Sequence, residues 1–266
     1  MCLILFAHQT TTDVALVVAA NRDEFFQRPT RQADFWAGED YPDLLAGKDM
    51  QAGGTWLGVT RGGRFAAVTN FRDPEQTESR PRSRGELPLE FLAGDVSPVA
   101  YCEGLASCYE DFAGYNLLVG DGETLCCANN YANNHKERHC LLEPGIYGLS
   151  NGALNSTWPK ITQGRDALAT LLNEQAAPST DRLIDLMQSR EQAADKKLPD
   201  TGMPIDLERA LSAAFILNPE RGYGSVCSTG LVIAKTDVRF SEQNYDSQGN
   251  ATAGHYFEFE RSHARN

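Results

Sequence analysis

The chain has 266 residues, of which 36 are acidic and 24 are basic, and its formal net charge is −12. This acidic balance argues against a nucleic-acid partner, because binding to a phosphate backbone depends on clustered lysine and arginine. The length is sufficient for a full hydrophobic core and no linker divides the sequence, so we predict one domain over residues 1–266.

The first eight residues form an apolar run in which a cysteine directly follows the initiator methionine. The run lacks a basic leader and is too short for a membrane span, so it indicates a β-strand. Removal of Met1 would leave Cys2 with a thiol and a free α-amine on one carbon, and this amine can act as the base for its own thiol. The alternative is that Cys2 is an inert small residue at the start of a buried strand.

A polar turn at residues 9–13 precedes a second apolar strand at residues 14–20, and the two strands are predicted to pair as a hairpin. The hairpin returns Asn21-Arg22-Asp23-Glu24 to the region of Cys2. There Arg22 would favour the thiolate, and a carboxylate of Asp23 or Glu24 would hold the guanidinium or the α-ammonium. Taken alone, these four residues are equally consistent with a solvated strand end.

Paired glycines introduce a strand within residues 53–60, and Arg61-Gly62-Gly63-Arg64 predicts a turn into a return strand at residues 65–69. Asn70 ends this return strand. Asn70 either donates its side-chain amide to an oxyanion or is an ordinary turn residue at the end of the strand. The glycines match no phosphate-binding motif, so we reject a phosphate cradle here.

Residues 72–84 are polar and predict an excursion over the surface. Several arginines lie near the end of this segment, and Arg84 is the last of them. Their side chains either face an anionic group or are solvated. Ser83 and Glu86 have the spacing of a helix capping box, and Ser97-Pro98 predicts the start of a second helix. These two helices would form one covering layer.

Three further strands are predicted at residues 115–120, 124–129 and 146–150. Cys126-Cys127, His135 and His139-Cys140 have some appearance of a zinc site. We predict no metal, because the spacing is not that of a zinc motif and adjacent cysteines on a strand point to opposite faces. Asn151 follows the last of these strands and is a second candidate oxyanion donor or substrate contact.

Apolar stripes at helical spacing predict a second covering layer, formed by a helix at residues 160–175 and another that begins at the capping residues 179–181. A charged loop and a short helix follow, at residues 191–204 and 205–214. Three strands are predicted to close the chain, at residues 226–235, 237–244 and 256–260.

Together these motifs resemble the NRDE family, which is named after the tetrapeptide at residues 21–24 and includes the transport and Golgi organisation proteins. The matching blocks run along the whole chain: Met1-Cys2, Asn21 to Glu24, Arg28-Pro29, Gly53 to Gly58, Thr69-Asn70, Ser83 to Gly85, Tyr115 to Leu117, Gly148 to Asn151 and Trp158 to Lys160. The resemblance implies an α+β protein with an N-terminal nucleophile hydrolase-like fold, a four-layer αββα sandwich with two mainly antiparallel sheets.

A more distant likeness is to cysteine-type N-terminal nucleophile amidases, the choloylglycine hydrolase and penicillin V acylase group. The catalytic residues that it implies are Cys2, Arg22, Asp23, Asn70 and Asn151. The expected substrate contacts are Glu24, Trp56 and Arg84. One position departs from the pattern, because Val226 stands where that group carries an arginine in a late strand.

We therefore predict a cytoplasmic hydrolase that acts on a linear amide or related acyl bond of a small molecule, without a metal or organic cofactor. The odd number of cysteines, seven, favours reduced thiols and agrees with that compartment. The family resemblance also brings an alternative, a non-enzymatic carrier of haem or acyl lipids. In a haem carrier the candidate axial ligands would be the cysteines and His8, His135, His139 and His255. A structural partner in the secretory pathway is a third possibility, although no membrane segment is expected.

Overall fold

The computed structural model describes residues 2–75, 79–132, 134 and 137–262. Its strands are β1 Cys2–His8, β2 Val14–Phe25, β3 Thr30–Trp36, β4 Tyr41–Asp49, β5 Leu57–Thr60, β6 Phe65–Asn70, β7 Tyr115–Gly120, β8 Leu125–Asn129, β9 His139–Leu141, β10 Gly145–Leu149, β11 Leu217–Asn218, β12 Tyr223–Ala234, β13 Asp237–Tyr245 and β14 Ala251–Glu260. Its α-helices are α1 Glu86–Ala93, α2 Pro98–Gly104, α3 Pro159–Glu174, α4 Thr180–Leu186 and α5 Ile205–Ala210.

The first sheet is built around the hairpin of β1 and β2, which places Cys2 directly opposite Arg22. Its strand order is β10-β1-β2-β12-β13-β14, with β11 paired to β12. Every residue of β1 is buried, because the strand lies inside the sheet and both of its faces are covered. Side chains alternate between the faces, so Leu5 packs under the helices while Phe6 enters the core between the two sheets.

The second sheet is an antiparallel meander with the strand order β3-β4-β5-β6-β7-β8-β9. The predicted turn at residues 61–64 joins β5 to β6, and there Gly63 has a φ of 84°, a conformation that favours glycine. The return strand β6 ends at Asn70 as predicted and pairs with β7. This sheet therefore delivers Asn70 to the same region as the start of β1.

The two sheets pack face to face and each carries helices on its outer face. Phe6 and Phe65 belong to the core between the sheets. Phe91 of α1 packs on the outer face of the second sheet, and Leu168 of α3 packs on the outer face of the first. These four layers confirm the predicted αββα sandwich. In the part of the chain that the structure describes, no helix has the length and apolar character needed to cross a membrane.

The predicted caps at Ser97 and Ser179 are confirmed, whereas α1 has Gly85 at its N-cap position and the signal at Ser83 is only partly borne out. The Ser97 hydroxyl accepts a hydrogen bond from the backbone N–H of Ala100 at the start of α2. Ser179 caps α4 in the same way. At α1, the Glu86 carboxylate accepts from the backbone N–H of Ser83 at 2.9 Å, which is one half of the predicted capping box.

Several boundaries differ from the prediction. The tetrapeptide at residues 21–24 lies inside β2 rather than after it, because its polar side chains find partners within the fold. Strands β3 and β4 were not predicted, since their polar and exposed positions interrupt the apolar pattern. The helix predicted at residues 205–214 ends earlier, at Ala210, and β14 begins earlier than predicted, at Ala251.

Candidate active site

Cys2 is held rigidly at the start of β1, and its side chain is nearly buried, with 7% of its surface exposed. The hydroxyl of Ser150 donates to the backbone carbonyl of Cys2 at 2.9 Å. Burial raises the pKa of the Cys2 thiol, and Arg22 lowers it by a smaller amount. Arg22 therefore favours the thiolate as predicted, but burial has the larger effect and favours the neutral thiol.

Arg22 and Glu24 project from β2 on the same side, two residues apart. The Nη1 atom of Arg22 donates to the hydroxyl of Thr30 at 2.9 Å, and its Nη2 atom lies 3.7 Å from a carboxylate oxygen of Glu24. The guanidinium is therefore fixed in place beside Cys2 by neighbouring side chains.

Asp23 is buried, and its Oδ1 atom accepts a hydrogen bond from the Ser225 hydroxyl at 2.6 Å. Burial raises the pKa of Asp23, and the nearby ammonium of Lys160 is the largest opposing influence. Burial also lowers the pKa of Lys160 to about 8, while Asp23 works against that shift. Neither Lys160 nor Ser225 was predicted as a site residue, because a single sequence does not indicate that α3 and β12 meet β2 at Asp23.

Asn21 is the first residue of the tetrapeptide, and its side chain has a structural role. Its side-chain amide donates to the backbone carbonyls of Met187 and Ala214, at 2.9 and 2.8 Å. Its oxygen accepts from the hydroxyl of Ser228 at 2.6 Å. Asn21 thus ties the end of α4 and a later loop to the first sheet, next to the site.

Asn70 and Asn151 occupy different positions. Asn70 lines the cavity at Cys2, whereas Asn151 is absent from the lining and fully buried. The side-chain amide of Asn151 donates to the backbone carbonyl of Asn70 at 2.9 Å. Asn151 therefore holds the end of β6 in place, which sets the position from which Asn70 faces the cavity.

A cavity of about 370 Å³ opens at Cys2. It brings together most of the residues predicted for the site: Cys2, Arg22, Asp23, Glu24, Trp56, Asn70 and Arg84. Its walls also include an ion pair between Arg28 and Asp49, whose nearest atoms are 2.6 Å apart. Arg28 belongs to one of the family blocks, but its pairing with Asp49 was not predicted.

Val226, which stands where the amidase pattern has an arginine, lies at an irregularity of β12. Ser225 pairs with Asp23 and Cys227 pairs with Arg22, which leaves Val226 in a bulge of β12. Position 226 is therefore next to Arg22, and the valine brings no second positive charge there.

Apart from Cys2, none of the cysteines and histidines that the structure describes lines this cavity. Cys126 packs beneath the helices on the second sheet and Cys127 packs between the sheets, as their alternation predicted. His135 lies outside the described residues, and the described histidines do not line the cavity. Within residues 2–75, 79–132, 134 and 137–262, no group of three or more potential metal-binding side chains is found.

The family model of transport and Golgi organisation 2 matches residues 1–247. The chain belongs to this family. The transport and Golgi organization 2 homolog of Mus musculus is 33% identical over 262 residues, covering 92% of this chain and 93% of the mouse protein. The homolog of Homo sapiens is 32% identical with the same coverage. The predicted family resemblance is confirmed.

Among solved structures, the chain is similar to the Caenorhabditis elegans N-acylethanolamine-hydrolyzing acid amidase ortholog, with a TM-score of 0.52 and 9% sequence identity. The likeness covers 86% of this chain and 92% of the amidase. At this identity the likeness concerns the fold, which is that of N-terminal nucleophile hydrolases. A transport and Golgi organisation 2 chain therefore has the fold expected from its sequence motifs.

Proposed function

We propose that this chain is an N-terminal cysteine hydrolase that cleaves a linear amide or related acyl bond of a small molecule. The observation that supports this most directly is the place of Cys2, at the start of β1 and in the lining of a cavity that Asn70 also lines. A cysteine used only for packing would not require an adjoining cavity of about 370 Å³ lined with charged groups.

The proposed reaction begins after Met1 has been removed. The free α-amine of Cys2 takes the thiol proton as the sulfur attacks the substrate carbonyl, forming a carbon–sulfur bond. The carbon–nitrogen bond then breaks and the α-ammonium gives its proton to the leaving amine. Water attacks the resulting thioester, the α-amine again accepts a proton, and the carboxylic acid leaves as the thiol is restored.

The surrounding residues have distinct proposed roles. Asn70 donates its side-chain amide to the oxyanion of the tetrahedral intermediate. Arg22 stabilises negative charge on the sulfur, because it lies opposite Cys2 in the hairpin. Asp23 positions the α-ammonium, since a buried carboxylate favours a nearby positive charge. The mechanism requires no metal or organic cofactor.

A carrier role is the alternative, and the names of the relatives, which refer to transport and Golgi organisation, support it. Such a protein would bind a ligand in the same cavity without turnover. Haem fits this cavity poorly, because the described lining contains no histidine and its cysteine is nearly buried. The hydrolase proposal gives the Cys2 thiol a catalytic role, whereas a carrier would not use this thiol.

The test is a panel of N-acyl amides assayed with the wild-type chain and with Cys2→Ala. We expect intact-mass analysis to find Met1 removed from both proteins, because both second residues are small. Turnover of the best substrate should fall roughly a thousand-fold or more in Cys2→Ala, since the nucleophile is lost.

Cys140→Ser is the matched control, because Cys140 is exposed and lies away from the cavity lining. Its activity should equal that of the wild type. Retention of Met1 in an active protein, or equal turnover by Cys2→Ala, would exclude the proposed mechanism.

A further inference from the structure

The cavity at Cys2 has a charge opposite to that of the whole chain. The chain carries a formal net charge of −12. The basic residues that line the cavity are Arg22, Arg28, Lys48, Arg80, Arg82 and Arg84. The acidic residues that line it are Asp23, Glu24 and Asp49. An excess of positive charge in a concave site concentrates anionic ligands there.

Arg84 differs from the other basic side chains of this lining. Each of the others has a carboxylate oxygen within 3.8 Å. Among the residues that the structure describes, Arg84 has no carboxylate partner, and its Nη1 atom donates to the backbone carbonyl of Gly114 at 3.1 Å. Glu24 acts on Arg84 electrostatically but makes no ion pair with it, and a partly buried guanidinium with no carboxylate in direct contact binds an incoming carboxylate or phosphate strongly.

A second, more apolar pocket of about 520 Å³ adjoins the cavity. The two share Glu24, Phe25 and Asn70 in their linings. The other residues of the second pocket are Met203, Leu207, Leu211, Asn218, Arg221 and Tyr223. The side chain of Phe25 is 58% exposed, so this boundary offers apolar surface to a ligand.

We propose that the substrate is an amphipathic anion, an N-acyl derivative of an amine that carries a carboxylate or a phosphate. The anionic group pairs with Arg84, the acyl chain occupies the second pocket, and the scissile carbonyl lies at their shared boundary, between Cys2 and Asn70. Hydrolysis releases a fatty acid and an amine that keeps its anionic group. This inference rests on the proposed hydrolase function for the cleavage step but not for binding.

Binding is tested by titration calorimetry with the Cys2→Ala protein, in which no turnover interferes. The probes are N-dodecanoylglycine, N-dodecanoylphosphoethanolamine, neutral N-dodecanoylethanolamine and the short anion N-acetylglycine. We expect the two long anions to bind about ten- to a hundred-fold more tightly than the neutral amide, because charge-assisted hydrogen bonds form at Arg84. The tighter of the two identifies carboxylate or phosphate as the natural group.

Variants made in the Cys2→Ala background separate the two pockets. Arg84→Met should remove the preference for anions and leave binding of the neutral amide unchanged, and Arg84→Gln serves if the methionine variant does not fold. Leu207→Gln should weaken long-chain probes and leave N-acetylglycine unaffected. Arg182→Met is the control, because Arg182 is an exposed arginine of α4 remote from both linings.

Each outcome decides a separate question. Equal binding of neutral and anionic amides, or an anion preference that survives loss of Arg84, would overturn the inference. Selective binding of the long anions by Cys2→Ala, combined with no hydrolysis of them by the wild type, would uphold the ligand class and reject the hydrolase.

Discussion

Asn70 ends β6 and Asn151 follows β10, and substitution separates their proposed roles. Asn70→Ala should lower kcat about a hundred-fold, because one oxyanion donor is lost, and leave the stability unchanged. Asn151→Ala should lower the free energy of unfolding by about 1–3 kcal/mol, because the carbonyl of Asn70 loses its buried donor. Urea denaturation and steady-state kinetics measure the two effects. A normal stability for Asn151→Ala would contradict its positioning role.

The buried ammonium of Lys160 should make the stability depend on pH. Its pKa is about 8 in the folded chain, below the usual 10.5, because burial disfavours its charge. Between these values the unfolded chain binds more protons, so this group makes stability rise with pH, by up to about 1.4 kcal/mol per unit. This contribution to stability is complete above pH 10.5 and is lost as the pH falls to about 8.

The measurement compares wild type with Lys160→Met by urea denaturation across pH 7 to 11, since cysteines and tyrosines contribute to the total but cancel in the difference. Lys235→Met is the control, because Lys235 is exposed at the far end of the first sheet. The prediction fails if the Lys160→Met and Lys235→Met proteins show the same pH dependence.

At the scale of elements, the segment that carries Arg84 makes a close backbone contact with the residues that precede β5. The backbone N–H of Thr55 donates to the carbonyl of Gly85 at 3.1 Å. A Cβ atom on Gly54 would lie 2.3 Å from that same carbonyl oxygen. Gly54→Ala should therefore displace this segment from the entry of β5, lower the free energy of unfolding by about 1–3 kcal/mol and weaken binding of anionic ligands.

Gly38→Ala is the matched control for this substitution, because a Cβ atom there meets nothing within 4 Å. Its stability should stay within about 0.5 kcal/mol of the wild type. Thermal unfolding and the calorimetric titration provide both readouts. If Gly54→Ala were as stable as Gly38→Ala, the close approach would not anchor the segment.

At the scale of the whole molecule, the sequence predicts elements well where one physical signal dominates. The uninterrupted apolar runs of β1 and β2 predicted a covered hairpin, and the serines at positions 97 and 179 marked helix starts. The signal fails at β3 and β4, where polar residues alternate irregularly. Apolar periodicity indicates burial. A partly exposed strand that is stabilised by pairing with its neighbours is therefore hard to predict from the sequence.

The candidate site was predictable where its residues lie near each other along the hairpin, as Cys2 and Arg22 do. It was not predictable where the partner comes from a distant strand, as Ser225 does for Asp23. The sequence also could not predict the direction in which the pKa of the Cys2 thiol is shifted, because desolvation depends on the packing of all four layers. Pattern and spacing therefore indicated a candidate nucleophile and its candidate base, and the fold added the burial that raises the pKa of the thiol.

The position of β1 between β2 and β10 has a consequence for biosynthesis. At translation rates of about 5–20 residues per second, Leu149 at the end of β10 leaves the ribosome roughly 7 to 30 s after Cys2. During that interval β1 lacks its completed sheet and the amino terminus of the nascent chain is accessible to a processing aminopeptidase. Once β1 is enclosed between β2 and β10, Cys2 is nearly inaccessible. The proposed mechanism therefore requires that Met1 be removed during translation, before β1 is enclosed.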